Sequence, residues 1–259
     1  TRPLVFTQNN AVMSTLDPVQ GNDASMGSAS SVNYVKLVAL DVDDSFRLEG
    51  TASHAFSIAE GNSEFYFLLR DDIFFGTNDA NGNVINTGVR AGGEDVVYSL
   101  ERASDKDSVP SHKTFTLHNH LAKIEVLTDL DELSAKLDSD TGATVLETLQ
   151  NGINNKIEAL VAKDDDVDNA AGKYQVVKIT TTEPFPQVLN YLAHQSAGIL
   201  HKEQVEKYNS AFNGMDYDPT KHICYGDYAQ VKGGMTDMLW CSGPYQLIKA
   251  DDYGIEYEK

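Results

Sequence analysis

Two histidines set two residues apart, His118 and His120, are the first side chains whose spacing could do chemistry. On a strand they would face the same side and could share a metal ion. The rest of a metal-nuclease motif is missing, so His118-Asn119-His120 reads as a surface or turn pair. His112, His194 and His201 stand singly and read as structural or solvated. Asp164, Asp166 and Asp168 carry the alternating carboxylates of a calcium loop. Asn169 stands where that loop needs a glycine, and Gln175 where it needs a bidentate glutamate, so the run reads as a solvated helix terminus. The oxygen-rich run from Asn78 to Asn83 reads as a tight surface turn. Cys224 and Cys241 form no CxxC pair; a disulfide and two free thiols both remain open. No GxSxG elbow, HExxH helix, Walker loop or GxGxxG fingerprint is present. Carboxylates are too plentiful for any one pair to mark an acid/base couple. The expectation is a protein that is not an enzyme, with no cofactor and no metal.

Composition bounds the partners. The chain has 259 residues, 41% hydrophobic and 9% aromatic, enough to bury a core without a metal or disulfide staple. Its formal charge of −19 opposes phosphate backbones and anionic lipid, since affinity for those comes from Lys and Arg. Nucleic acid and direct membrane binding are therefore not expected. No run of apolar residues is long enough for a spanning helix. The opening residues have no basic, apolar signal character, which fits a cytoplasmic chain or an exported one whose leader has been removed.

The elements that must position any site follow from periodicity. Leu4-Val5-Phe6-Thr7 reads as a strand, Ser14 to Pro18 as a turn, and Gly21 to Ser31 as a polar stretch before a helix at 32–40. A charged, hairpin-like turn spans Asp41 to Ser45. Glu64 to Arg70 has the density of a buried strand, continued by Ile73-Phe74-Phe75, and Gly76 to Asn86 reads as a loop. Val96, Val97, Leu100 and Ala103 recur at helical spacing behind Glu94 and Asp95, which suit a helix amino end. A connector from Ser104 to Lys113 leads to a strand region over 115–130. The residues Val145, Leu146, Leu149, Ile153, Ile157 and Leu160 mark one apolar face of a long helix. A strand begins at Tyr174, helices are expected over 186–193 and 201–209, and a strand pair over 245–249 and 254–258. Such a mixture is α/β or α+β.

Four segments, in order, resemble the large peptide-binding proteins of ABC importers, solute-binding protein family 5. Thr15-Leu16-Asp17-Pro18 is similar to that family's S-L-D-P turn, and the stretch from Phe65 to Phe75 to its Y-x-F-x-L-R-x-x-x-x-F strand. Gly88 to Arg102, containing Ala91-Gly92-Gly93-Glu94-Asp95-Val96-Val97-Tyr98-Ser99-Leu100-Glu101-Arg102, resembles its A-x-D-V-V-x-S-L-x-R helix. Pro184-Phe185 with Leu189 and Leu192-Ala193, and then Ser242-Gly243-Pro244-Tyr245, resemble its P-F-x-x-L-x-x-L-A and G-T-G-P-Y elements. Three departures stand out. The loop before the helix is expanded over 76–87, residues 129–168 form an acidic helical insertion, and Trp240-Cys241-Ser242 replaces the usual G-T.

The resemblance implies a mixed α+β (α/β) fold: a periplasmic-binding-protein type II-like lobe with a smaller inserted domain, stopping before the second large lobe. It implies a first segment of lobe I over 1–40, the smaller domain with the acidic insertion over 41–168, and a second segment of lobe I over 169–259. It implies an extracytoplasmic protein, in the periplasm or held on the outer membrane face as a lipoprotein. Such a protein, a monomer, captures a peptide or other small solute between lobes and delivers it to an ABC-importer membrane permease. By position in the pattern, Asn22, Asp23, Ala24 and Ser25 match the cleft segment after the Asp-Pro turn. Trp240, Cys241, Ser242 and Gly243 match the hinge-side segment, and Pro110, Ser111 and His112 the small domain's contribution. Loop solvation for 22–25 and core packing for Trp240 are the plain alternatives. A cell-surface binding or adhesion module is the alternative function.

Overall fold

The computed structural model describes residues 13–21, 23–41, 43, 47–59, 61–114, 116–127, 175–212 and 214–259. The expected opening strand, Asn22, the acidic insertion with its helix, and the Asp164–Asp168 run lie outside the described residues.

The first described helix, α1, spans Ala24–Asn33. Asp23 caps it, its carboxylate accepting from the amides of Ser25 and Met26 at 2.8 and 3.0 Å. This corrects the expected helix at 32–40. The polar stretch is helical, and Val38–Leu40 is strand β1, paired antiparallel with β2, Leu48–Gly50. The helix lacks an apolar stripe because its buried face is built from Ser25, Gly27, Ala29 and Ser30 alongside Met26.

A four-stranded antiparallel sheet follows: β3 (Ser53–Ile58), β4 (Glu64–Leu69), β7 (Leu121–Leu127) and β8 (Val176–Thr181), in the order β3-β4-β8-β7. All of Phe65 to Leu69 is buried, which explains the unbroken apolar run of a central strand. β8 lies between β4 and β7, so this sheet runs across the division expected at 168/169. Phe74–Asn78 (β5) does not continue β4. It pairs with β6, Val84–Arg90, in a separate hairpin. The expected loop over 76–86 is this hairpin, and only its tip is a turn, where Asp79 accepts from the amides of Asn81 and Asn83.

Helix α2, Gly93–Ser104, packs on the sheet and shows why its motif has both apolar and polar positions. Val96, Leu100 and Ala103 join Phe65, Phe67, Val177 and Ile179 in one core cluster. Asp95, Ser99 and Arg102 are also buried and reach other segments. The Asp95 carboxylate accepts from Gly92 N at 3.2 Å and from Lys202 N at 3.0 Å. The Ser99 hydroxyl accepts from Leu200 N at 2.9 Å. Arg102 forks onto both oxygens of Asp17, with Nη1 to Oδ1 at 2.9 Å.

The remainder is helices α3 (Val188–Leu192), α4 (Lys202–Asn209) and α5 (Tyr228–Lys232), then the antiparallel pair β9 (Gln246–Ala250) and β10 (Ile255–Glu258). The short helix α5 was not legible in the Gly/Asp-rich sequence. These elements enclose a second core around Tyr34, Tyr225, Met238, Leu239, Cys241 and Leu247. Both cysteines are free and buried, which settles the open choice in favour of thiols.

Asp17 and Arg102 have side-chain exposures of 0% and 4%. Burial pulls the Arg102 guanidinium down, but the Asp17 carboxylate outweighs it and holds the group above its ordinary value. Removing one partner strands a charge without solvent. Arg102→Ala is expected to cost about 3–5 kcal/mol in urea unfolding, while Asp17→Asn with Arg102→Met recovers much of that loss. An Arg102→Ala variant of unchanged stability would show that the pair is not structurally coupled.

Candidate functional site

The turn at Thr15-Leu16-Asp17-Pro18 is fixed from four directions. Asp17 N donates to Thr15 Oγ1 at 3.0 Å, and Val19 N to Asp17 Oδ1 at 3.0 Å. Arg102 holds the carboxylate from behind. Leu16 N donates to Gly226 O at 2.7 Å. Gly226 has φ +77°, and a Cβ there would come within 2.7 Å of Asp17 N, so both conformation and contact require glycine.

Gln20 extends the turn into a strap. Its Nε2 donates to Pro110 O at 2.6 Å and lies 3.5 Å from Cys224 Sγ, while its Oε1 accepts from the Thr15 hydroxyl at 3.0 Å. Val19 O accepts from both Lys113 N and Thr114 Oγ1 at 3.1 Å. The connector at 110–114 is thereby stitched to the residues just after the turn.

Between these segments lies a cavity of about 180 Å³, lined by Ser14, Thr15, Gln20, Pro110, Ser111, Lys113, Tyr217, Cys224 and Asp227. Its walls carry hydroxyls, the Gln20 amide, the Cys224 thiol, one ammonium and one carboxylate beside the Pro110 ring. Asp227 already caps α5 through Ala229 N at 2.8 Å. Burial, then the Asp17 carboxylate, pushes the Cys224 thiol up to about 12, which makes it a poor nucleophile. The arrangement suits hydrogen bonding of a small polar group rather than covalent chemistry.

The sequence-based candidates fall in several places. Pro110 and Ser111 reach the cavity, and Ser111 is exposed with φ +54°. His112 turns inward, its Nε2 3.3 Å from the Arg102 carbonyl and its ring 4.8 Å from that of His118. Asp23, Ala24 and Ser25 form the amino end of α1. Trp240 stacks on His201 at 4.6 Å. Cys241 exchanges backbone hydrogen bonds with Gly76 at 2.8 and 2.9 Å. Ser242 donates to Ile199 O at 2.7 Å and accepts from Val35 N at 3.2 Å. Gly243 N donates to Asn33 O at 2.8 Å, and a Cβ there would run into the Val32 carbonyl.

Residues 242–243 therefore meet the carboxyl end of α1 while 23–25 form its amino end, about 14 Å away along the helix. The structure does not bring these two groups together, and neither lines the cavity. Ser14, Thr15, Gln20, Lys113, Tyr217, Cys224 and Asp227 were missed. Ser14, Thr15 and Gln20 had a signal, since they lie in or beside the recognised turn; the others come from segments that only folding brings near. His118 and His120 diverge, as a turn pair would: His120 stacks on Phe185 at 4.4 Å.

No protein-family model and no curated protein matches the chain. Solved structures do. The chain is similar to HbpA2 from Haemophilus parasuis, at 19% identity and TM-score 0.55, over 94% of this chain and 37% of that one. It is similar to the ABC transporter-associated periplasmic binding protein DppA from Helicobacter pylori, solved with the peptide STSA, at 16% identity and TM-score 0.56, over 95% and 37%. It is also similar to the PBP/SBP MoaA from A. tumefacien R10, solved with mannopinic acid, at 16% identity and TM-score 0.53, over 94% and 34%. The chain thus spans little more than a third of the length of these structures. What it shares with them, over that part of their length, is the fold.

Three histidines carry a pH signature. Burial holds His112, His118 and His194 below their ordinary value of 6.5. The unfolded chain therefore binds more protons just below that value, so their contribution is complete above about pH 6.5 and is lost as pH falls towards the folded values. Stability by urea unfolding is expected to drop as pH falls below about 6.5, and His112→Asn should flatten part of that slope. A slope that is unchanged in the variant would contradict the burial assigned to His112.

Proposed function

We propose that the chain is the amino-terminal part of the extracytoplasmic substrate-binding component of an ABC importer, and that it captures peptides in a cleft between lobes. The observation that carries this reading is the Asp17–Arg102 pair. It joins two of the segments that resemble the family's motifs and, through the turn, supports a polar cavity. The shared fold adds to it, as does the peptide found with DppA.

In this reading, an extended peptide pairs its backbone with exposed strand edges, giving affinity that does not depend on sequence, and a hinge closes around it. Thr15, Gln20, Ser111 and Lys113 present polar groups to one part of the ligand. Residues 23–25 and 242–243 act one step back, by fixing the two ends of α1, while Trp240 and Cys241 pack against His201 and Gly76. Segments 1–40 and 169–259 build lobe I around a smaller domain at 41–168, whose sheet borrows β8. The protein acts as a monomer at the outer face of the membrane or in the periplasm, held as a lipoprotein, and passes its ligand to a membrane permease. No helix among the described residues is long and apolar enough to cross a membrane.

The test is thermal unfolding of the chain extended to the length of its structural relatives, with and without a mixed di- to pentapeptide library. Ligand at a hundred times its dissociation constant adds about 2.7 kcal/mol and raises the midpoint by several degrees. A shift with sugars or acidic opines alone changes the cargo. No shift with any solute favours the cell-surface module instead.

A further inference from the structure

Strand β7 is the edge of the four-stranded sheet, and among the described residues nothing pairs with its outer side. An unpaired edge is a template for another extended segment. Beside it, between α2 and β7, lies a groove of about 370 Å³ lined by Glu94, Val97, Tyr98, Glu101, Ile124, Val126 and Lys202. The groove is remote in composition from the polar cavity at the Thr15 turn, and the two share no lining residue.

Ile124 and Val126 are two apart, so both face α2, whereas Lys123 and Glu125 on the other face pair with each other at 2.7 Å. Val97 and Tyr98 supply the opposite apolar wall. Glu94 and Glu101 are exposed, and their carboxylates make no ion pair or side-chain hydrogen bond among the described residues. Two carboxylates thus line the groove with the single ammonium of Lys202.

We propose that β7 and this groove dock an extended peptide segment of the pattern Lys-x-Leu-x-Lys from a partner, as a fifth strand with leucine in the groove and the lysines at Glu94 and Glu101. The dimensions agree. Positions 1 and 5 of a strand are about 13 Å apart, and Glu94 and Glu101 about 10 Å apart along α2, a difference that lysine side chains span. Main-chain pairing supplies affinity, and the apolar pocket with flanking carboxylates supplies selection. This inference stands independently of the importer reading.

The probe is fluorescein-labelled Thr-Lys-Thr-Leu-Thr-Lys-Thr, titrated by anisotropy against the chain. Glu94→Gln with Glu101→Gln is expected to weaken binding at least tenfold. Glu49→Gln with Glu258→Gln removes the same charge from exposed positions elsewhere and should change it less than twofold. A backbone N-methylated probe, which cannot extend the ladder, should not bind. Equal loss in both double variants would mean attraction to the net charge alone and would overturn the proposal. So would full binding of the N-methylated probe, or no binding of the parent probe. A dimer by sedimentation that the probe dissociates would make a second copy of the chain the occupant, and would equally overturn it.

Discussion

An ion pair almost wholly removed from water, Asp17 with Arg102, is the constraint on which the rest of this structure depends. A carboxylate and a guanidinium tolerate such burial only with good geometry and with their other hydrogen-bonding capacity met. The bidentate fork provides the first. Val19 N on Asp17 Oδ1 contributes to the second. Because one partner sits in a turn near the start of the chain and the other on α2, the pair fixes where that turn lies against the helix. Gln20 can then reach Pro110, and a cavity forms where three distant segments meet.

The same helix distributes its polar contacts with regular spacing. Asp95, Ser99 and Arg102 lie on one buried face at intervals of four and three, alongside the apolar residues that meet the sheet. Asp95 holds the amino end of α4, while Ser99 and Arg102 tie down segments that have no regular structure of their own. In this way α2 serves both as the lid of a hydrophobic core and as a frame for loops, and the loops carry the polar cavity.

Much of this was legible in the sequence, for physical reasons. α2 and β4 were readable because burial demands an apolar period or an apolar run, and both show one. β10 was readable as an alternating segment, and β9 as a short run bounded by turns. The helix α1 was hidden because it packs through small residues, for which no apolar stripe is needed. The β5–β6 hairpin was hidden because Gly, Asn and Thr dominate it, and its pairing with a partner strand rather than its propensity makes it a strand. At the site, the Thr15 turn and Ser111 could be singled out by resemblance. Tyr217, Cys224 and Asp227 could not, since their approach to the turn depends on contacts such as Leu16 N to Gly226 O that link residues some two hundred positions apart.

Cys241, Ser242 and Gly243 teach a related point. Their match to a motif next to a presumed cleft is equally a match to the seam that closes α1 against β5 and the residues before α4. Motif residues near a site are often the ones that hold its walls in register, and their hydrogen bonds here are all to backbone. The measurement that tests the account most directly is amide hydrogen exchange of the chain at the length of its structural relatives, with and without bound peptide. The account predicts that peptide slows exchange at residues 14–20 and 110–114, the walls of the cavity. Unchanged exchange there, with protection confined to other segments, would contradict it.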